Sequence, residues 1–223
     1  MKEKNKLYTL VLGSKSPRRE ELLGWTGLDF KIKPAHIDEK SLFNTPREIA
    51  QDIAARKGEA VMKECLKIEG TGKNYFPLVV ASDTIVCIGD EILGKPGNID
   101  EAKKMLLKLS GTTHLVITAV WFGRLDIETG RELNEVFSSE TDVTFRDIDD
   151  DLLERYLDSE ESLDKAGAYG IQGQALTFVS HINGSYSNVV GFPLDEMIFE
   201  LKNFLNYSDD FSGEWRKLFC GKG

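Results

Sequence analysis

The 223-residue chain has little of what staples, ligates metal or crosses a membrane. Its three cysteines, Cys65, Cys87 and Cys220, are odd in number and widely spaced. With no CxxC pair they exclude a disulfide framework and read as free thiols in a reducing compartment. The three histidines, His36, His114 and His181, stand alone, so no zinc site is expected and each is given a structural or surface role. No apolar run approaches the ~18–20 residues of a membrane span. The N-terminal MKEKNKLYTLVLGSKS has too short an apolar stretch for a signal peptide and no small-residue cleavage site, so a cytoplasmic location is expected. Disorder is excluded for the bulk of the chain, because segments such as Leu78–Ile88 bury too much apolar surface to stay solvated.

Positive charge is also in short supply. Against 37 Asp and Glu there are 28 Lys and Arg, a net −9. Such an average field repels polyanions, so neither nucleic acid nor an anionic membrane is an expected partner. Any phosphate group must be met by a local basic cluster.

The periodicities predict strands at Leu7–Leu12, Leu78–Ile88, His114–Gly123, Arg131–Arg146 and Leu176–Ile182. Helices are predicted at Ser16–Leu23, Thr45–Leu66, Ile99–Leu109, Asp149–Leu157 and Leu194–Leu205. Thr45, Pro46 and Glu48 supply the start chemistry of the longest helix, and the Gly- and Lys-rich Lys67–Phe76 ends it. The class is α/β or α+β. Residues 1–205 read as one domain, and 206–223 as a polar tail with little to hold it.

Four segments break local rules. In Gly13-Ser14-Lys15-Ser16-Pro17-Arg18-Arg19, Ser16 is a good N-cap and Pro17 a good first residue, yet two arginines follow at the positive end of the helix dipole. Free N–H groups, two serine hydroxyls and two guanidinium groups make this an anion receptor, unless the arginines pair with Glu20, Glu21 or Asp29. Lys57 falls in the centre of an apolar helical stripe with Ile49, Ala50, Ile53, Ala54, Ala60 and Val61, where it must snorkel or meet an anion in a cleft. Asp83 interrupts an apolar strand and needs a metal, a lysine, a transferable proton or the N–H groups of a bulge. A turn at Gly89-Asp90 would bring Lys95 back toward it. In Asp164–Gly173, three glycines at three-residue spacing would let backbone approach a ligand, and Gln172 could read a nucleobase edge, although a plain loop explains the glycines equally.

The set GSKSPRR, ASDTIV, LGKP, DKAGAYGIQG and INGSYSNVVGFPL, in this order, resembles the Maf family of nucleotide pyrophosphatases from about Leu10 to Leu205. The AYGIQG and GSYSNVVGFP versions are similar to the branch acting on dTTP and UTP rather than the 7-methyl-GTP branch. The resemblance implies an α/β, Maf/ITPase-like fold with two lobes around a central mixed sheet, an active-site cleft between them, and usually a homodimer. It implies hydrolysis of a nucleoside triphosphate between the α and β phosphates. Asp83 matches the family's general base, and Arg18, Thr84 and Gln172 match positions linked to substrate specificity. Ser14, Arg19, Glu39, Lys57 and Lys95 match other residues of the cleft. Phosphate binding is thus expected of Ser14, Ser16, Arg18, Arg19, Lys57 and Lys95. A divalent cation, Mg²⁺ or Mn²⁺, is expected on Asp83 and Glu39. Gly13, Ser82 and Gln174-Ala175 depart from the family's usual residues, and the tail has no counterpart. The competing readings are a 7-methyl-GTP or broader nucleotide pyrophosphatase, and a nucleotide-binding regulator of cell division that does no chemistry.

Overall fold

The computed structural model describes residues 8–68, 76–126 and 129–219. The elements run β1 (Tyr8–Leu12), α1 (Pro17–Gly24), β2 (Phe30–Ile32), α2 (Pro46–Ile68), β3 (Phe76–Ile88), β4 (Glu91–Leu93), α3 (Ile99–Leu109) and β5 (Thr113–Leu125). Then follow β6 (Glu132–Phe145), α4 (Asp150–Asp158), β7 (Val179–Asn183), α5 (Tyr186–Val190) and α6 (Leu194–Phe204). Among the described residues the strands form one seven-stranded mixed sheet, in the order β2-β1-β3-β5-β6-β7, with β4 also on β3. The contacts β2–β1 and β1–β3 are parallel; all others are antiparallel. The fold is mixed α/β.

Strand alternation sorts the core. Along β3, Leu78, Val80 and Val86 join one apolar cluster, with α3, α4 and α6. Val79, Ile85 and Cys87 join the other, with Ala50, Ala54, Val61 and Met62 of α2. Residues of odd and even number point to opposite faces, so the sheet lies between the two clusters.

The long helix starts as its sequence dictates. The Thr45 hydroxyl accepts from the Glu48 N–H at 3.3 Å and donates to Glu48 Oε2 at 2.7 Å. Its middle is pressed against β5 through Gly58, where a Cβ would lie 2.0 Å from the Trp121 ring. A glycine here is a steric requirement.

Three expectations need correction. The predicted strand from Leu176 begins only at Val179, because Gln174–Phe178 is a 3₁₀ turn that buries Ala175 and Phe178. The ladder to β6 has an irregular register at Thr144/Phe145, which ends regular pairing there. The C-terminal segment is not loosely held as far as residue 219: Trp215, Leu218 and Phe219 are buried in the larger core, and the Trp215 and Phe219 rings meet edge to face. Finally, β2 and the five-residue α5 were not expected. The latter is capped by Ser185, which accepts from Asn188 N–H, and stopped by Gly191 at φ 114°. Cys65 and Cys87 are both buried, and burial pushes the Cys87 thiol up. Cys220 and residues 69–75 of the predicted linker lie outside the described residues.

His114 is a buried core residue. Its Nε2 lies 2.7 Å from the Tyr169 hydroxyl, and desolvation drives the imidazole from 6.5 down to about 4, so it is neutral near pH 7.

Replacing glycine by alanine inside a helix ordinarily stabilises by ~1 kcal/mol. Here the Trp121 contact reverses the sign, and Gly58→Ala is expected to cost roughly 1–3 kcal/mol. A urea midpoint above that of the wild type would show that α2 is not pinned at this point.

Candidate active site

The sheet has a gap in its middle. β1 pairs with β3 only to Leu12↔Val80, closed by Gly13 N–H to the Val80 carbonyl at 2.7 Å. β4 takes up the same edge of β3 only at Val86. Residues 81–85 therefore pair with β5 on one side and face a cleft of about 650 Å³ on the other. Here the strand order β2-β1-β3 reverses, at the carboxyl end of β1, the switch point at which α/β sheets place ligands.

Because adjacent side chains of β3 leave by opposite faces, the gap presents Asp83 to one side and Thr84 to the other. On the first side, Lys57 of α2 reaches Asp83 Oδ1 at 2.7 Å and Glu39 Oε1 at 2.6 Å. The Lys57 and Asp83 side chains are 13% and 12% exposed, so the lysine meets anions in the cleft rather than snorkelling out. Burial pushes the Asp83 carboxyl above its ordinary value, and the charge and hydrogen bond of Lys57 pull against it. Burial also raises Glu39, but the hydrogen bond and charge of Lys57, with Lys95 and Arg19 beyond, outweigh it and hold that carboxyl low. No bulge accommodates Asp83: the β3–β5 register is unbroken from Leu78↔Arg124 to Cys87↔Leu115.

On the second side Arg19 of α1 is a latch. Its Nε donates to the Gly191 carbonyl at 2.9 Å, Nη1 to the Ser82 carbonyl at 3.0 Å, and Nη2 to Thr84 Oγ1 at 3.1 Å. Desolvation by burial lowers the guanidinium's pKa while the charge of Asp83 supports it. Arg18 instead sits 3.7 Å from Asp164 at the rim. Neither arginine takes the Glu20, Glu21 or Asp29 pairing weighed from the sequence. Ser16 stands at the N-cap position of α1, but its hydroxyl makes no cap bond. The turn is held instead by Ser14, whose Oγ accepts from Ser16 N–H at 3.1 Å.

The structure brings Ser14, Ser16, Arg18, Arg19, Glu39, Lys57, Asp83, Thr84, Lys95 and Gln172 to one cleft. The β3–β4 hairpin returns Lys95, as the Gly89-Asp90 turn suggested. Sequence reasoning missed Lys15, Lys165, Tyr169 and Val189 as lining residues. Lys15 and Lys165 were legible as cations inside the quoted motifs; Tyr169 and Val189 carry no charge that would mark them. Of the glycines after Asp164, Gly167 is needed by the protein itself, since a Cβ there would meet Val86 at 2.9 Å, whereas Gly170 lines the cleft. In all, Lys15, Arg18, Arg19, Lys57, Lys95 and Lys165 face Glu39, Asp83 and Asp164, six cations against three carboxylates. A chain of net charge −9 has concentrated positive charge in its cleft.

A family model described as Maf-like protein matches residues 9–204, which takes in every residue of this cleft. The chain belongs to the Maf family. Among its relatives is a dTTP/UTP pyrophosphatase of Syntrophus aciditrophicus, 41% identical over 206 residues, covering 90% of this chain and 93% of the relative. Those of Pyrococcus abyssi and Thermococcus kodakarensis are 44% and 45% identical. They cover 85% and 86% of this chain, and 92% and 95% of their own lengths.

Arg19→Lys keeps the charge and loses the planar fork, leaving two buried carbonyls and Thr84 short of donors. A stability loss of roughly 2 kcal/mol is expected in chemical denaturation. A change within about 0.5 kcal/mol, the range of neutral surface substitutions, would mean that the fork is not what fastens α1 to β3.

Proposed function

We propose that the chain is a nucleoside triphosphate pyrophosphatase that hydrolyses dTTP and UTP to the monophosphate and pyrophosphate. The observation that carries this reading is a buried carboxylate, Asp83, held against Lys57 at the gap in the sheet, beside a cleft rich in cations. The names of the relatives supply the substrate class.

In the reaction a water oxygen attacks the α-phosphorus, and the bond from that phosphorus to the oxygen bridging it to the β-phosphorus breaks. Asp83 accepts the water's proton. Burial makes it a stronger base than an exposed aspartate, while the charge and hydrogen bond of Lys57 favour its ionised form. Ser14, Ser16, Arg18, Lys15 and Lys95 take the phosphate oxygens, and negative charge growing on the departing pyrophosphate is stabilised by cations already in place. Arg19 holds Thr84 and the start of α1 in position. Gln172 and Thr84 face the nucleoside.

A divalent cation fits as an ion shared with the substrate. Among the described residues no cluster of three or more His, Cys, Asp or Glu could hold a metal. Asp83 and Glu39 offer the one or two carboxylates that Mg²⁺ or Mn²⁺ combines with phosphate oxygens, each now paired with Lys57. When bound, such an ion supplies charge neutralisation and polarisation of the phosphoryl group.

The reading includes action in the cytoplasm, as a homodimer, on free nucleotides. Among the described residues no helix is long and apolar enough to cross a membrane, and the acidic average disfavours nucleic acid.

With Mg²⁺ or Mn²⁺, the purified protein is expected to release pyrophosphate, not orthophosphate, from dTTP and UTP, and far less from GTP and 7-methyl-GTP. Asp83→Asn should lower turnover by at least about 100-fold in a folded protein, the usual scale for a general base. Orthophosphate as product, or an active Asp83→Asn, contradicts the reading. The acid limb of the pH–rate profile should follow Asp83, with activity lost as pH falls through its raised pKa. Lys57 lowers that pKa, so Lys57→Met should move the limb to higher pH. An unmoved limb would exclude Asp83 as the titrating base.

A further inference from the structure

Behind the cleft wall runs a series of hydrogen bonds whose direction chemistry fixes. Arg19 Nη2 can only donate, and it donates to Thr84 Oγ1 at 3.1 Å. At the other end the Asn188 carbonyl can only accept, and Thr118 Oγ1 lies 2.9 Å from it. Thr118 has one hydroxyl proton. Aimed anywhere else, it would leave two lone-pair oxygens facing each other at 2.9 Å, so it goes to the carbonyl.

Thr84 and Thr118 are directly opposed in the β3–β5 ladder, their hydroxyl oxygens 3.0 Å apart. With the Thr118 proton committed to Asn188, the proton between them is that of Thr84. The order Arg19 to Thr84 to Thr118 to Asn188 is the arrangement that puts a proton in every contact. Thr118 and Asn188 are completely buried, which keeps water from interrupting it. Asn188 is itself anchored, its Nδ2 donating to the Val116 carbonyl at 3.0 Å and to Thr141 Oγ1 at 2.9 Å.

A hydroxyl in water both gives and takes. Thr84, with its proton turned inward and a guanidinium N–H on one lone pair, can offer the cleft only an acceptor. We infer that Thr118 is a positioning residue for substrate choice: by taking the proton of Thr84, it makes that side chain an acceptor that pairs with the ring N3–H of uracil or thymine. The same oxygen would face the bare N3 lone pair of cytosine. A site built to bond a donor rejects an analogue that lacks it, because an acceptor lone pair on each side then faces the other with no proton between them. This inference rests on the pyrimidine triphosphate reading above.

Pyrophosphate release from UTP and CTP by wild type, Thr118→Val and Thr118→Ser tests it, with thermal melting as the fold control. Valine keeps the shape of threonine without the hydroxyl, so the preference for UTP over CTP in kcat/KM should fall roughly fivefold or more, the scale of one hydrogen bond. Serine keeps the hydroxyl and should keep the preference. If Thr118→Val does not fold, Thr118→Ala, which adds no methyl, gives the same ratio. A packing role alone would slow both nucleotides equally; an unchanged ratio in an active variant overturns this inference and leaves the proposed function standing. A wild-type protein that releases no pyrophosphate from UTP overturns both.

Discussion

One ammonium group, Lys57 Nζ, sits between two carboxylates, and the cleft is organised around it. Asp83 comes from β3, Glu39 from the loop before α2 and Lys57 from α2 itself, so a single charge ties three segments together. A buried carboxylate without a partner costs several kcal/mol, and removing one member of such a pair is far worse than never having built it. Asp83 can therefore stay in the middle of an apolar strand only while α2 lies where it does. The packing of α2 on the sheet, including the close approach at Gly58, is in that sense part of the site.

The second organising fact is the contrast between the molecule's average charge and its cleft. A triphosphate approaches an acidic protein whose repulsion falls off with salt, and meets six cations only at close range. The three carboxylates that offset them, Glu39, Asp83 and Asp164, are each already bonded to a lysine. The carboxylates of the cleft are thus prepaired, and a bound anion competes with them for the lysines.

The parts of the site legible in the sequence were those that broke a local rule. Asp83 in an apolar strand and Lys57 in an apolar stripe each needed a partner, and the fold makes them partners of each other. The Thr45 capping box and the helix at Ile99–Leu109 were legible because their signals are local. The latch at Arg19 was not, since it closes on carbonyls 63 and 172 residues away that carry no side-chain signature. The C-terminal turn was misread because Trp215, Leu218 and Phe219 are scattered among polar residues, and only their shared contact with the far end of the core reveals them. The glycines after Asp164 were legible as close approaches, but whether to a ligand or to protein side chains depends on the tertiary neighbour.

Because Asp83 and Thr84 are consecutive residues leaving a strand by opposite faces, their separation into two roles is a property of the β3–β5 register alone. A slip of one residue would exchange the faces, turning the carboxylate toward Arg19 and Thr118 and a hydroxyl toward Lys57. The ten paired positions from Leu78↔Arg124 to Cys87↔Leu115 thus hold the carboxylate and the hydroxyl each on its own face. A mispaired chain would leave Lys57 facing a hydroxyl in place of its buried carboxylate, and breaking such a pair costs about 3–5 kcal/mol.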